Sequence, residues 1–200
     1  MAFERQAREK GFVRIAGADE AGRGALFGPV FAAAVILPPE RPIRGLNDSK
    51  LLTAAEREAL SAEIRRHAVA WAVAAADAFE IDRRNILEAS RLALRRAVEA
   101  LDPPCDFVLA DAIRLDWPGP QQAVVHGDAR SRSIAAASIL AKVARDECMA
   151  RWDAVFPEYG LARHKGYPTP DHQAALERLG PTFLHRFSYA PVRAAVERAR

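Results

Sequence analysis

The chain has 200 residues, half of them hydrophobic and 28% charged, with a formal net charge of +3. That length and balance fit one compact domain, or at most two small ones, with a sizeable core, as in an ordinary globular protein, and the mild basic excess suits a nucleic-acid partner. Two cysteines, Cys105 and Cys148, form no disulfide framework and no Cys-x-x-Cys zinc site, so free thiols in a reducing cytosol are expected.

The chain opens Met-Ala-Phe-Glu-Arg-Gln, without the apolar core of a signal peptide. Residues 12–19 read as a strand reaching Asp19, followed by a glycine-rich turn and a second apolar run from Pro29 to Leu37, which predicts a hairpin. Pro38-Pro39-Glu40-Arg41-Pro42 is a rigid surface loop. Leu51 to Ala68 reads as a helix, with Thr53 and Glu56 at capping-box spacing and Leu60, Ile64 and Ala68 on one face. Val69 to Ala76 reads as a buried strand, too short for the roughly 20 residues that cross a bilayer. Glu80 to Leu101 predicts one long helix with Ile86, Ala89, Ala93, Ala97 and Leu101 aligned, stopped by Asp102-Pro103-Pro104. Asp106 to Ala110 and Gln122 to His126 read as short strands. Ser133 to Phe156 is an alanine-rich helix fit for close packing on a sheet. Thr169-Pro170 opens a short helix with proline at its first position, and Pro191 to Arg200 reads as a final amphipathic helix. A hairpin followed by alternating strands and helices is an α/β layout around a mixed sheet. One domain over residues 1–200, with its core at about 12–192, is expected.

Chemistry concentrates at strand ends. Asp19-Glu20 places two carboxylates side by side, and repulsion at a buried strand end calls for a compensating cation. Gly22 and Gly24 around Arg23 let backbone N–H groups approach a ligand, while Arg23 adds donors suited to phosphate or sugar oxygens. A nucleotide-binding P-loop is excluded, because no Gly-Lys-Ser/Thr follows. Asp111 ends one predicted strand and Asp128 follows another. Side chains at the carboxyl ends of strands in an open α/β sheet gather at one edge. Four carboxylates without cysteine suit hard ions, Mg²⁺ or Mn²⁺.

The run Asp19-Glu-Ala-Gly-Arg-Gly24, followed by Gly28-Pro29, resembles the signature of the ribonuclease HII (type 2 ribonuclease H) family. The similarity continues in family order through Asn47-Asp-Ser-Lys50, Gly127-Asp128 with 133–146, His164-Lys-Gly-Tyr-Pro-Thr169 with His172, and His185-Arg186 with Pro191-Val192. Arg23 favours this family over the related ribonuclease HIII. The resemblance implies a ribonuclease H-like fold, a five-stranded mixed sheet flanked by helices, with Asp19, Glu20, Asp111 and Asp128 as active-site acids holding two divalent ions. It implies that Gly22, Arg23 and Gly24 read the ribose 2′-OH, that Tyr167 stacks on the next sugar, and that Lys50 contacts phosphate. The implied activity is hydrolysis of the RNA strand of RNA–DNA hybrids and incision 5′ of a ribonucleotide embedded in duplex DNA, leaving 3′-hydroxyl and 5′-phosphate ends. A cytoplasmic monomer with no membrane partner is expected.

Two positions depart from the family pattern: Ala112 stands where glycine is usual, and His126 where lysine is common. Ala112 could widen the turn after Asp111. His164 and His172 lack a third histidine or cysteine placed to complete a metal site, so a structural or phosphate-contacting role is expected. Lys142, Arg145 and Asp146 read as a solvated helix face, with Lys142 and Arg145 available to a duplex. Trp71, Trp117 and Trp152 read as core or surface anchors. Two rival functions, a resolvase- or transposase-like DNA nuclease and a non-catalytic RNA-binding module, account less well for the sequence. The first has no use for a 2′-OH reader, and the second has no use for four acids in a cleft.

Overall fold

A computed structural model describes residues 2–198. Five strands make one mixed sheet: β1 (Ile15–Ala21), β2 (Val30–Ile36), β3 (Ala70–Ala76), β4 (Phe107–Asp111) and β5 (Gln121–Val124), ordered β3-β2-β1-β4-β5. β1 pairs antiparallel with β2, and β2 with β3, whereas β4 is parallel to both β1 and β5. The carboxyl ends of β1, β4 and β5 therefore share one edge. The expected five-stranded mixed sheet and its opening hairpin are present.

Each sheet face carries helices because the strands alternate their side chains. Ala16 and Ala18 of β1 and Ala32 and Ala34 of β2 pack with Ala89, Ala93, Ala97 and Val98 of α4 (Ile86–Glu99). Ala33 and Val35 point the other way, against Ala136, Ala137 and Leu140 of α6 (Arg132–Val155) and Ile64 of α2 (Ala54–His67). Small side chains let α6 approach closely: a Cβ on Gly17 would lie 2.0 Å from the Ser133 carbonyl carbon. α2 starts at Thr53 with the expected capping box to Glu56, worth about 1 kcal/mol.

Some elements differ from expectation. The helix expected over 80–101 is two helices, α3 (Ala78–Arg84) and α4. Asn85 separates them at φ +79° and caps α4 by accepting from the Leu87 and Glu88 N–H groups. Asparagine tolerates this left-handed backbone, so a continuous apolar face passes across a break. β3 is an edge strand rather than a buried one, and Trp71 is partly exposed. The stretch preceding β1 contains α1 (Ala2–Glu9), whose buried Glu4 accepts from the Ser131 and Ser133 hydroxyls and the Ser133 N–H at the start of α6. A carboxylate at that end also complements the helix dipole. The remaining helices are α5 (Gly127–Arg130), α7 (Leu161–His164), α8 (Pro170–Leu179) and α9 (Ala190–Arg198), with a 3₁₀ turn at Pro157–Tyr159. The expected final helix is thus α9, and Ala199 and Arg200 lie outside the described residues. No helix among the described residues is long and apolar enough to cross a membrane.

Candidate active site

Asp19 lies inside β1, which runs two residues further, and it is only 6% exposed. The site is therefore more buried than a strand-end acid suggests. Asp111 closes β4, where its Oδ1 accepts from the Gly127 N–H at 2.7 Å. A side chain on Gly127 would crowd that carboxylate and Ile134, so glycine keeps the bond possible. Asp128 sits on α5, just after β5, and its Oδ1 accepts from the Ala129 N–H. Asp19, Asp111 and Asp128 each offer a carboxylate oxygen within 4.8 Å of the others. Among the described residues this is the one cluster with metal-ligand spacing.

Glu20 stands beside this trio and is not part of it. Successive strand residues face opposite sides, and Glu20 is paired with Ala32 within the sheet. Its Oε1 accepts from Arg23 Nη1 at 3.3 Å, while Oε2 is buried without a hydrogen-bond partner.

Burial pushes the Asp19 carboxyl well above the usual carboxylate range. The neighbouring Glu20 charge adds to this, hydrogen bonding with Ser138 offsets part of it, and Asp111 raises it further. Glu20 is raised by burial against the opposing pull of Arg23, with Asp111 adding to the rise. Asp111 is raised by burial, partly offset by the Gly127 N–H, with Asp128 adding repulsion. Three carboxylates that resist ionisation together in a half-buried edge lack positive charge. Lys50 supplies some of it: Nζ lies 3.4 Å from Asp128 Oδ2 and 3.8 Å from Asp48 Oδ1. Partial burial works against the Lys50 charge, yet Asp48, Asp128 and Asp19 together outweigh it and raise its pKa. Hard oxygen donors, crowded and short of cations, fit a divalent metal ion.

The loop after β1 is held from below by side chains that sequence reasoning misplaced or missed. Arg145, expected on a solvated face, is fully buried. Its Nη2 donates to the carbonyls of Lys165 (2.9 Å) and Phe27 (3.4 Å), and its guanidinium lies 5.4 Å from the centre of the Tyr167 ring. Gly22, at φ +95°, rests on the same guanidinium, where a Cβ would come within 1.9 Å of Nε. Gly22 and Tyr167 are thereby tied to one side chain. Arg186, also fully buried, donates to the carbonyls of Arg23 (2.8 Å) and Gly28 (2.9 Å), and the Tyr189 hydroxyl donates to the Arg23 carbonyl as well. Gly24 has open space around it. Ser138, on α6, shares a 2.9 Å hydrogen bond with Ser49, which links the 47–50 segment to Asp19. No local signal marks Arg145 or Arg186, because their partners are distant in sequence.

Ala112 adopts φ +50°, a left-handed conformation that explains why glycine is usual there. Asp111 nevertheless joins the trio. His126 is also left-handed, at φ +54°. A third histidine does join the other two: His172 Nε2 lies 3.3 Å from His185 Nε2, and the His164 and His172 rings stack at 4.4 Å. Trp152 is half-buried and packs on Phe27 and Phe156, one of the anchoring positions expected.

Comparison with known proteins decides the family. A profile described as Ribonuclease HII matches residues 16–192. The chain belongs to the ribonuclease HII family. A ribonuclease HII of Solibacter usitatus is 62% identical over 192 residues, covering 96% of this chain and 84% of that protein. One from Geobacillus kaustophilus is 54% identical over 193 residues, covering 96% and 74% respectively. Among solved structures, ribonuclease H2 from Pyrococcus horikoshii superposes with a TM-score of 0.80 at 25% identity, covering 93% of this chain and 98% of that one. A Bst ribonuclease HIII solved with Mn²⁺ shares the fold at 19% identity and a TM-score of 0.74, covering 94% and 70%. As a ribonuclease HII family member the chain is a hydrolase that cleaves the RNA strand of RNA–DNA hybrids.

Proposed function

We propose that the enzyme also incises duplex DNA 5′ of an embedded ribonucleotide, with Asp19, Glu20, Asp111 and Asp128 as its catalytic acids, and so serves ribonucleotide removal in DNA repair and replication. The observation that carries this reading is the convergence of three aspartate oxygens within 4.8 Å, next to a glycine loop and a tyrosine that share Arg145. When bound, two divalent ions, Mg²⁺ or Mn²⁺, supply an activated water and stabilise the leaving 3′ oxygen.

The protein's own residues do the rest. Asp19, Asp111 and Asp128 would hold the ions, and Glu20 would complete the site from the adjoining position, where its Oε2 is buried without a hydrogen-bond partner. Ser138 fixes the Asp19 carboxylate, and Gly127 fixes that of Asp111. Lys50 exchanges its contact with Asp128 for a substrate phosphate. Arg186 and Tyr189 hold the Arg23 carbonyl, so the backbone of Gly22-Arg23-Gly24 meets a 2′-OH without swinging away. The Tyr167 ring lies against the following sugar, where a second 2′-OH would clash. Together they select a ribonucleotide followed by a deoxyribonucleotide.

Asp19→Asn and Asp111→Asn test the site. Each should abolish cleavage in Mg²⁺ or Mn²⁺ while leaving duplex binding within a few-fold, since phosphate contacts dominate affinity. Near-normal turnover by either variant would refute the assignment.

A further inference from the structure

Three buried histidines surround the backbone of Tyr167, and their hydrogen bonds allow one arrangement of protons. The Thr182 N–H donates to His185 Nδ1 at 3.0 Å. His185 Nδ1 is then an acceptor, so its proton sits on Nε2. That nitrogen faces His172 Nε2 at 3.3 Å, which must accept. The His172 proton therefore sits on Nδ1, 3.0 Å from the Tyr167 carbonyl oxygen, to which it donates. On the other side of Tyr167, the Gly166 N–H donates to His164 Nδ1 at 3.1 Å, so His164 Nε2 carries the proton that bonds the Tyr159 carbonyl at 2.7 Å. The rings of His164 and His172 stack face to face.

All three rings are buried, and every ring nitrogen is occupied. A metal ion has no free nitrogen to bind, and a phosphate cannot reach the rings. Both peptide groups beside Tyr167 are held: the Tyr167 N–H by the His164 carbonyl at 3.0 Å, the Gly166 carbonyl by the Leu26 N–H at 2.8 Å, and the Tyr167 carbonyl by His172 and the Thr169 N–H. His185 is itself anchored to the loop after β1, through a bridge with Phe27 and an edge-on ring contact at 5.0 Å. The chain of bonds runs from that loop to the tyrosine.

We infer that His172 and His185 are positioning residues for substrate discrimination: a one-directional chain, Thr182 to His185 to His172 to the Tyr167 carbonyl, fixes the ring that reads the ribonucleotide–deoxyribonucleotide junction. This rests on the proposed role of Tyr167. The metal trio lies on other elements, so the chain governs choice of substrate and leaves the hydrolytic step alone.

The test compares wild type, His172→Leu, His172→Asn and Tyr167→Ala on two labelled substrates, a duplex with a single ribonucleotide and a long RNA–DNA hybrid. His172→Leu fills the space without a donor and should lower kcat/KM for the single-ribonucleotide duplex about tenfold, the scale of one buried hydrogen bond, with the hybrid within about twofold of wild type. His172→Asn keeps a donor near the Nδ1 position and should recover most of that loss. Nitrogen-15 NMR of the wild type adds a readout independent of any variant, with the proton expected on Nδ1 of His172 and on Nε2 of His185. The opposite tautomers would overturn the proposal even if His172→Leu failed to fold. Tyr167→Ala separates the two ideas. If it loses both substrates equally, the role of Tyr167 falls. If it loses only the junction substrate while His172→Leu loses neither or both equally, the positioning role of His172 falls and that of Tyr167 stands.

Discussion

Gly22 and Gly24 flank the same arginine, yet the structure gives them different tasks, and alanine at each position separates them. A Cβ on Gly22 would lie 1.9 Å from Nε and 2.4 Å from Cδ of the buried Arg145, at a backbone φ of +95°. The left-handed backbone costs about 1–2 kcal/mol for a residue with a Cβ. Forcing a packed guanidinium aside costs about 1–3 kcal/mol more. The stiffer unfolded chain returns about 0.4–1 kcal/mol. Gly22→Ala should therefore destabilise by about 1–5 kcal/mol, lowering the melting temperature by roughly 2–20 °C in a chain of this size. A Cβ on Gly24 meets nothing within 4 Å, so Gly24→Ala should stay within about 0.5 kcal/mol of wild type. On the proposed 2′-OH contact its methyl would instead reduce cleavage of the single-ribonucleotide duplex. Chemical denaturation and duplex cleavage on both variants provide the check. Equal stability of Gly22→Ala and wild type would refute the packing argument, and full activity of Gly24→Ala would move the ribose away from the loop's open face.

Three further outcomes are expected. In chelator at pH 7, Asp19→Asn should raise stability by about 0.5–2 kcal/mol, because it relieves the crowding of buried acids around Asp19, Glu20 and Asp111; Mg²⁺ should raise the melting temperature of wild type and not of the variant, and a less stable variant would contradict this. Ala112→Gly should gain about 0.5–1 kcal/mol in denaturation, relief of the φ +50° strain exceeding the flexibility added to the unfolded chain; a loss would mean the alanine methyl contributes packing. His172 and His185 are held down to about 4 and about 3, each chiefly by burial. The unfolded chain protonates both near 6.5, so their contribution is intact above that pH and is lost progressively as pH falls below it. The raised acids act in the opposite sense, so the comparison is wild type against His185→Gln. Between pH 7 and pH 5 wild type should lose roughly 2 kcal/mol more, and identical pH profiles would refute neutral burial.

Much of the site was legible because it depends on local signals. The hairpin, the strands ending at Asp111 and before Asp128, and the Thr53–Glu56 cap each follow from patterns within a few residues. Glu20 diverges from the trio by the period-two rule, once β1 is seen to continue past Asp19 to Ala21. The break at Asn85 was hidden by an apolar stripe that continues on both sides of it, although Asp77 and Glu80 have capping-box spacing. The burial of Arg145, Arg186 and His185 was not legible. Each is a polar side chain buried by partners far along the chain, and composition alone places such residues at the surface.

Incision 5′ of an embedded ribonucleotide is tested most directly by mapping the ends produced from a DNA duplex that carries one ribonucleotide, in Mg²⁺. A single cut on the 5′ side of the ribonucleotide is expected, leaving a 3′-hydroxyl upstream and a 5′-phosphate on the ribonucleotide, with no cut without metal and none in the matched all-DNA duplex. Cleavage of the all-DNA duplex, or a cut on the 3′ side of the ribonucleotide, would contradict it.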